Sequence, residues 1–162
     1  MGLLTQELVR LGLDAFGIDL SPRMVALARR RYPALRFAVG SMLELGVADG
    51  SLGGVLACNS IIHIPWKYRP QVFAEFHRAL RPGGQLMLSL GIGDERRHFD
   101  GVDGVAISLD WYRQQPDEVC SLLGEAGFEV RERAVDEPEP GSANAPHGYL
   151  LACKRVGIGQ TV

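Results

Sequence analysis

Short apolar runs alternate with segments of helical period along most of this chain, which restricts it to strands joined by helices, packed as a sheet with helical layers. Leu3, Leu4, Leu8, Val9 and Leu11 recur at helical spacing, and Gly12 stands where a helix stops. Residues 15–18 form a short apolar run ending at Asp19, after which Ser21 and Pro22 supply an N-cap and a first-turn proline. The helix they open is predicted to carry Met24, Leu27 and Ala28 inward, to leave Arg29 and Arg30 largely outside, and to end before Pro33. Residues 35–39 read as the next strand, with Gly40 and Ser41 at its edge.

The second half repeats the pattern. Residues 46–54 carry turn chemistry, 55–58 read as a buried strand, and 59–68 as a loop or short helix. Val72, Phe73, Phe76 and Leu80 make an apolar helical stripe that Pro82, Gly83 and Gly84 stop, and a strand follows at 85–90. Residues 91–110 suggest an exposed excursion, as active-site covers often are. A helix at 116–126 is capped by Gly127, and residues 128–135 and 149–154 read as two closing strands around a loop at 136–147. The expectation is an α/β domain over residues 1–154, a doubly wound, mostly parallel sheet with an antiparallel C-terminal strand, and a flexible tail at 155–162.

Composition narrows the function classes. At 162 residues with 46% hydrophobic and 22% charged content, the chain suits one globular domain, and no apolar run is long enough to cross a bilayer. Net charge is −2 with both signs interspersed, so there is no basic field of the kind that binds a phosphate backbone, and nucleic acid is not an expected partner. Cys58, Cys120 and Cys153 are odd in number and far apart, which fits reduced core cysteines in a cytoplasmic protein rather than a disulfide framework or a metal site. The N-terminus lacks a secretory pattern.

In an open parallel sheet, ligands sit beyond the C-terminal strand ends, so Asp19, Gly40 with Ser41 and Met42, Asn59, and Gly91 are the residues to inspect. A strand-end aspartate can accept from the 2′- and 3′-hydroxyls of a ribose, or it can serve only as an acid at the start of the next helix. His63 lies just past the strand at 55–58, as a general base or as a hydrogen-bonded structural histidine. The run Arg96, Arg97, His98 is either part of a cover that binds an acidic group or a solvated charged face. Trp66, Tyr68, Trp111 and Tyr112 would line an aromatic acceptor pocket or pack.

The run Phe16-Gly17-Ile18-Asp19-Leu20-Ser21-Pro22-Arg23-Met24, with Ala28-Arg29 and Tyr32-Pro33 after it, resembles the second-strand motif of class I S-adenosylmethionine-dependent methyltransferases. Gly40-Ser41-Met42 stands where that family places an adenine-contacting loop. Asp49-Gly50-Ser51 precedes the family's fourth strand and Leu80-Arg81-Pro82-Gly83-Gly84 its fifth. The resemblance covers residues 2–154, and Ser60-Ile61-Ile62-His63 looks like the small-molecule branch. It implies S-adenosylmethionine as cofactor, a small-molecule methyl acceptor, Asp19 on the ribose, Leu20 and Met24 beside the adenosine, Ser41 and Met42 at the adenine, and Asn59 near the methionine part. Ser41 departs from the acidic residue many relatives carry there, and for Met24 and Met42 core packing stands as an equal reading.

The larger departure is at the start. The family's first strand and its Gly-x-Gly-x-Gly loop lack a counterpart, and Gly2 alone matches the loop, 17 residues before Asp19 against an interval of roughly 20. That strand is normally central, and unsatisfied buried backbone groups cost about 1–3 kcal/mol each. A truncated gene product is therefore expected to close the gap by re-pairing the strands on either side, by a second copy of the chain as a homodimer, or to leave it locally disordered. Two further readings stand beside the enzyme: a non-catalytic remnant acting as a binding or dimerisation module, and a nicotinamide-dependent oxidoreductase, which the lack of an intact Gly-x-Gly-x-x-Gly lowers.

Overall fold

The computed structural model describes residues 2–102, 105–138 and 146–156. The chain forms two compact units that divide after Gly46. The loop expected at 136–147 and the tail expected at 155–162 fall largely outside the described residues, at 139–145 and 157–162.

The first unit runs α1 (Leu3–Arg10), β1 (Phe16–Asp19), α2 (Pro22–Arg31) and β2 (Arg36–Val39). β1 and β2 pair in parallel, from Phe16 opposite Arg36 to Asp19 opposite Val39. α2 starts where Ser21 Oγ accepts from the Met24 N–H at 3.4 Å, with Pro22 in the first turn. Its inward face is Val25 and Ala28, which pack with Phe37, Tyr32 and Leu35. The expected inward position of Met24 and Leu27 is thus corrected: both are exposed, because the helix turns so that Val25, one residue on from Met24, meets Phe37. Arg29 is exposed, yet its guanidinium donates to the Phe37 carbonyl at 2.6 Å.

The packing of α1 differs from its pattern as well. Thr5 is its buried residue, whereas Leu3, Leu4 and Leu11 are exposed. Gly17 lets α1 and β1 come close: a Cβ there would lie 2.7 Å from Phe37 Cδ1 and 3.1 Å from Thr5 Oγ1, so its absence leaves room for Thr5 to pack against β1.

The second unit holds a four-stranded sheet ordered β3-β4-β8-β7, from β3 (Leu52–Cys58), β4 (Leu80–Gly91), β7 (Phe128–Asp136) and β8 (His147–Lys154). β3 and β4 are parallel, while β8 is antiparallel to both β4 and β7. Parallel pairing of β3 with β4, closed by the antiparallel strands β8 and β7, belongs to the expected α/β class. Two short 3₁₀ turns, Ile61–His63 and Trp66–Tyr68, lead into α3 (Arg69–Ala79), and α4 (Pro116–Glu125) precedes β7. Phe73, Phe76, Leu86, Leu88, Leu123 and Leu150 form its fully buried centre. Lys154 ends α3 by donating to the carbonyls of His77 and Leu80 at 2.6 and 2.8 Å, a cation at the negative end of a helix.

Two segments differ from expectation. β4 begins at Leu80 rather than after Gly84, because Leu80 pairs with Leu52 and a register shift absorbs the Arg-Pro-Gly-Gly turn. The excursion expected at 91–110 is largely an antiparallel hairpin, β5 (Arg96–Val102) with β6 (Val105–Tyr112), since Arg96 to Phe99 find partners from Tyr112 back to Leu109. β1 takes its one ladder from β2 within the first unit and β3 its one from β4 within the second, so each has one paired edge among the described residues. No helix among the described residues is long and apolar enough to cross a membrane.

Candidate functional site

Within the first unit, the strand ends bring together Asp19, Leu20, Gly40 and Ser41. Gly40 N–H donates to the Asp19 carbonyl at 3.1 Å, and a Cβ on Gly40 would meet Ile18 Cγ2 at 2.9 Å, so glycine lets the end of β2 close onto the end of β1. Asp19 Oδ1 accepts from the Ser21 N–H at 2.8 Å. This Asx-type bond holds the carboxylate at the strand-to-helix bend, and Oδ2 has no partner among the described residues. The carboxylate therefore has both sequence-derived roles open to it: one oxygen caps and the other can accept. Beside it, Leu20 is 74% exposed and Met24 40% exposed, so neither packs in a core.

Ser41 Oγ accepts from the Leu43 N–H at 3.1 Å, which fixes the hydroxyl in a local turn and leaves its proton to donate. Met42 is partly buried. Gly2 lies in the left-handed region at φ 88 as the N-cap of α1, and a Cβ there would fall 2.6 Å from Tyr32 Cδ2. Its bare backbone is thus used for packing inside its own unit.

Within the second unit, Asn59 directly follows β3 with φ 47, the one non-glycine residue at positive φ among the described residues. Its N–H reaches the Ser89 carbonyl at 3.2 Å and Ser89 Oγ at 2.9 Å. Four residues on, His63 is exposed; its Nδ1 lies 3.2 Å from the Asp110 carbonyl and its ring stacks on Trp111 at 6.3 Å and 24°. A carbonyl only accepts, so Nδ1 carries the proton and Nε2 of the neutral ring presents a lone pair. Sequence reasoning did not foresee that the hairpin orients this histidine, because residues 63 and 110 are linked only by folding.

The turn that bears His63 is braced from beneath. Gln114, fully buried, donates from Nε2 to the Ile61 carbonyl at 3.2 Å and accepts from Arg69 Nη1 at 3.2 Å. Arg69 is buried too, and its Nη2 donates to Glu118 at 2.7 Å. Trp66, Arg69, Gly93, Asp94, Arg113 and Glu118 line a cleft of about 260 Å³ beside this brace, in which cations and carboxylates balance. A lone glutamine between β6 and α4 carried no sequence signal.

The hairpin charges are engaged with one another. Asp110 accepts from Arg96 Nη2 at 2.9 Å and interacts with His98 Nδ1 at 2.8 Å, while His98 Nε2 lies 2.9 Å from Asp100. Arg97 pairs with Glu95 at 3.5 Å. The bond to Asp110 raises the His98 pKa above its ordinary 6.5, and His98, then Arg96, hold Asp110 below its ordinary 3.8. These cations are neutralised locally, which favours the solvated-face reading of the run. Of the four aromatics, only Tyr112 is buried, its ring meeting Trp66 edge-on at 5.4 Å; Trp66, whose Nε1 donates to the Arg113 carbonyl at 3.1 Å, stays as exposed as Tyr68 and Trp111.

Residues 1–84 match the family model described as a methyltransferase domain. An uncharacterised methyltransferase of Mycobacterium tuberculosis is 32% identical over 139 residues, covering 86% of this chain and 49% of the relative. An arsenite methyltransferase of Halobacterium salinarum is 30% identical over 130 residues, covering 73% of this chain and 32% of the relative. The chain thus spans about half the length, or less, of these curated relatives. Among solved structures, a SAM-dependent methyltransferase of Methanosarcina mazei superposes with a TM-score of 0.80 at 19% identity, over 94% of this chain and 87% of that one. With the matched model spanning the strand-end motif around Asp19, this chain belongs to the class I S-adenosylmethionine-dependent methyltransferase family.

Proposed function

We propose that the protein transfers a methyl group from S-adenosylmethionine to a small-molecule acceptor. The observation that carries this reading is the Asp19 carboxylate, held at the end of β1 by the Ser21 N–H with its second oxygen open, next to an apolar Leu20 that nothing in its unit covers. An acceptor oxygen beside an apolar side chain fits the donating hydroxyls of a ribose and the adenine face next to it. Asp19 would hold the ribose hydroxyls, Leu20 and Met24 would flank the adenosine, and Gly40, Ser41 and Met42 would bound the adenine. Asn59 would serve the methionine end, and Gly2 would support that end through its packing rather than by contact.

When bound, the cofactor supplies an already activated methyl, so the protein's part is to align the acceptor and manage its proton. His63 is proposed as the base: its Nδ1 is committed to the Asp110 carbonyl, leaving Nε2 to take a proton from an acceptor hydroxyl or ammonium. A small acceptor is supported by the relative named for arsenite, and by the want of a basic face suited to nucleic acid. Half-buried thiols, with that of Cys120 pushed up by burial, suit a reducing cytoplasmic setting.

Calorimetric titration with S-adenosylhomocysteine and with NAD tests the assignment. Binding of the first and not the second is expected; binding of NAD alone would return the chain to the oxidoreductases, and binding of neither would support a second reading. That reading, a non-catalytic binding or dimerisation module, is favoured by the single paired edge of β1 and of β3 among the described residues, beside which a strand from another copy would pair. A solution molecular weight of two chains that falls to one when a charge is placed in β3 supports it.

A further inference from the structure

Ser89 breaks the pattern of its strand. Along β4, Leu86, Leu88 and Leu90 face the core while Gln85 and Met87 on the other face are exposed; Ser89 shares that second face and yet is only 3% exposed. It stands opposite Cys58 in the β3–β4 register, one residue before Asn59. The Asn59 N–H donates to Ser89 Oγ at 2.9 Å, and Ser89 Oγ donates in turn to Asn59 Oδ1 at 3.3 Å.

The direction of that second bond follows from where the buried hydroxyl can place its proton. Ser89 Oγ already accepts, and its single proton has one acceptor among the described residues, Asn59 Oδ1. The carboxamide oxygen is thereby committed inward, and the group left at the end of β3 is Nδ2, a donor without a partner among the described residues. The left-handed backbone at φ 47, which asparagine tolerates better than most residues, turns the exposed residue away from the sheet at this point.

We propose that Ser89 is a positioning residue that sets the polarity of Asn59, so that this strand end recognises an anionic or carbonyl oxygen and rejects a donor. Resting on the methyl-donor reading above, it assigns Nδ2 of Asn59 to the carboxylate of the cofactor's amino-acid end, and leaves the ammonium to other groups.

Calorimetry on the full chain tests this with two ligands, S-adenosylhomocysteine and the same molecule with its carboxylate replaced by hydrogen. The readout is the ratio of their dissociation constants, because general loosening of the fold weakens both and leaves the ratio unchanged. The wild-type chain is expected to favour the carboxylate. Asn59→Gly keeps the positive φ and deletes the amide, while Asn59→Asp keeps the bond from Ser89 and puts a negative charge outward. Each should cut the ratio roughly tenfold or more, and Ser89→Ala, which frees the amide to rotate, should cut it in the same direction. Wild-type binding with no preference, or a full preference retained by either Asn59 variant or by Ser89→Ala, overturns the inference while the methyl-donor reading stands. Failure of the wild-type chain to bind S-adenosylhomocysteine at all removes both.

Discussion

The side-chain amide of Gln114 accepts from the buried guanidinium of Arg69 at 3.2 Å and, through its other end, donates to the carbonyl of Ile61. One glutamine thus ties the first turn of α3 to the turn that bears His63. Replacing it by alanine leaves a buried guanidinium N–H without its partner, while the Ile61 carbonyl keeps only the bond from the Ile64 N–H. Gln114→Ala is therefore expected to lower stability by about 1–3 kcal/mol, read as a drop in the urea midpoint with an unchanged slope. An unaltered midpoint would mean that water replaces the amide.

The close approach at β1 makes a second prediction. Gly17→Ala places a methyl 2.7 Å from the ring of Phe37, which cannot retreat without disturbing Val25 and Ala28. Overpacking of this kind costs about 1–3 kcal/mol. Thermal unfolding should show the loss, and adding Phe37→Leu, which removes the offending ring edge, should recover part of it.

The hairpin should respond to pH from both sides. His98 has its pKa raised by Asp110, so its contribution is complete below 6.5 and is lost as pH rises through the higher folded value. Asp110 is depressed by His98 and Arg96, so its contribution is present above 3.8 and is lost as pH falls through the lower folded value. The β5–β6 pairing is expected to be tightest between these limits. A proton NMR titration should place the His98 midpoint above 6.5, and Asp110→Asn should move it back toward that value. An unshifted midpoint in the wild-type chain would show that the pair does not form in solution.

Asp19 can be separated into its two roles. Asp19→Asn keeps an oxygen for the Ser21 N–H and replaces the open oxygen with a donor. Stability should therefore hold, while affinity for S-adenosylhomocysteine falls by roughly tenfold or more. Equal affinity in calorimetry would reduce Asp19 to a cap.

Much of this molecule was legible before any coordinates. Ser21-Pro22 announced α2, Gly127 the end of α4, and the apolar runs around Ile18 and Ala57 the strands whose ends carry Asp19 and Asn59. These signals are local: side-chain period, caps and turns act within a few residues, so a linear reading captures them. Tertiary structure alone decided which residues those elements bury and how the polar groups face. Thr5 rather than a leucine lies under α1, where Gly17 lets it approach β1, and Val25 displaces Met24 because Phe37 meets α2 one residue further on. Ser89 reaches Asn59 across 30 residues and Gln114 reaches Ile61 across 53. A hydrogen bond has a direction that depends on the partner across the fold, and no period in the sequence encodes it.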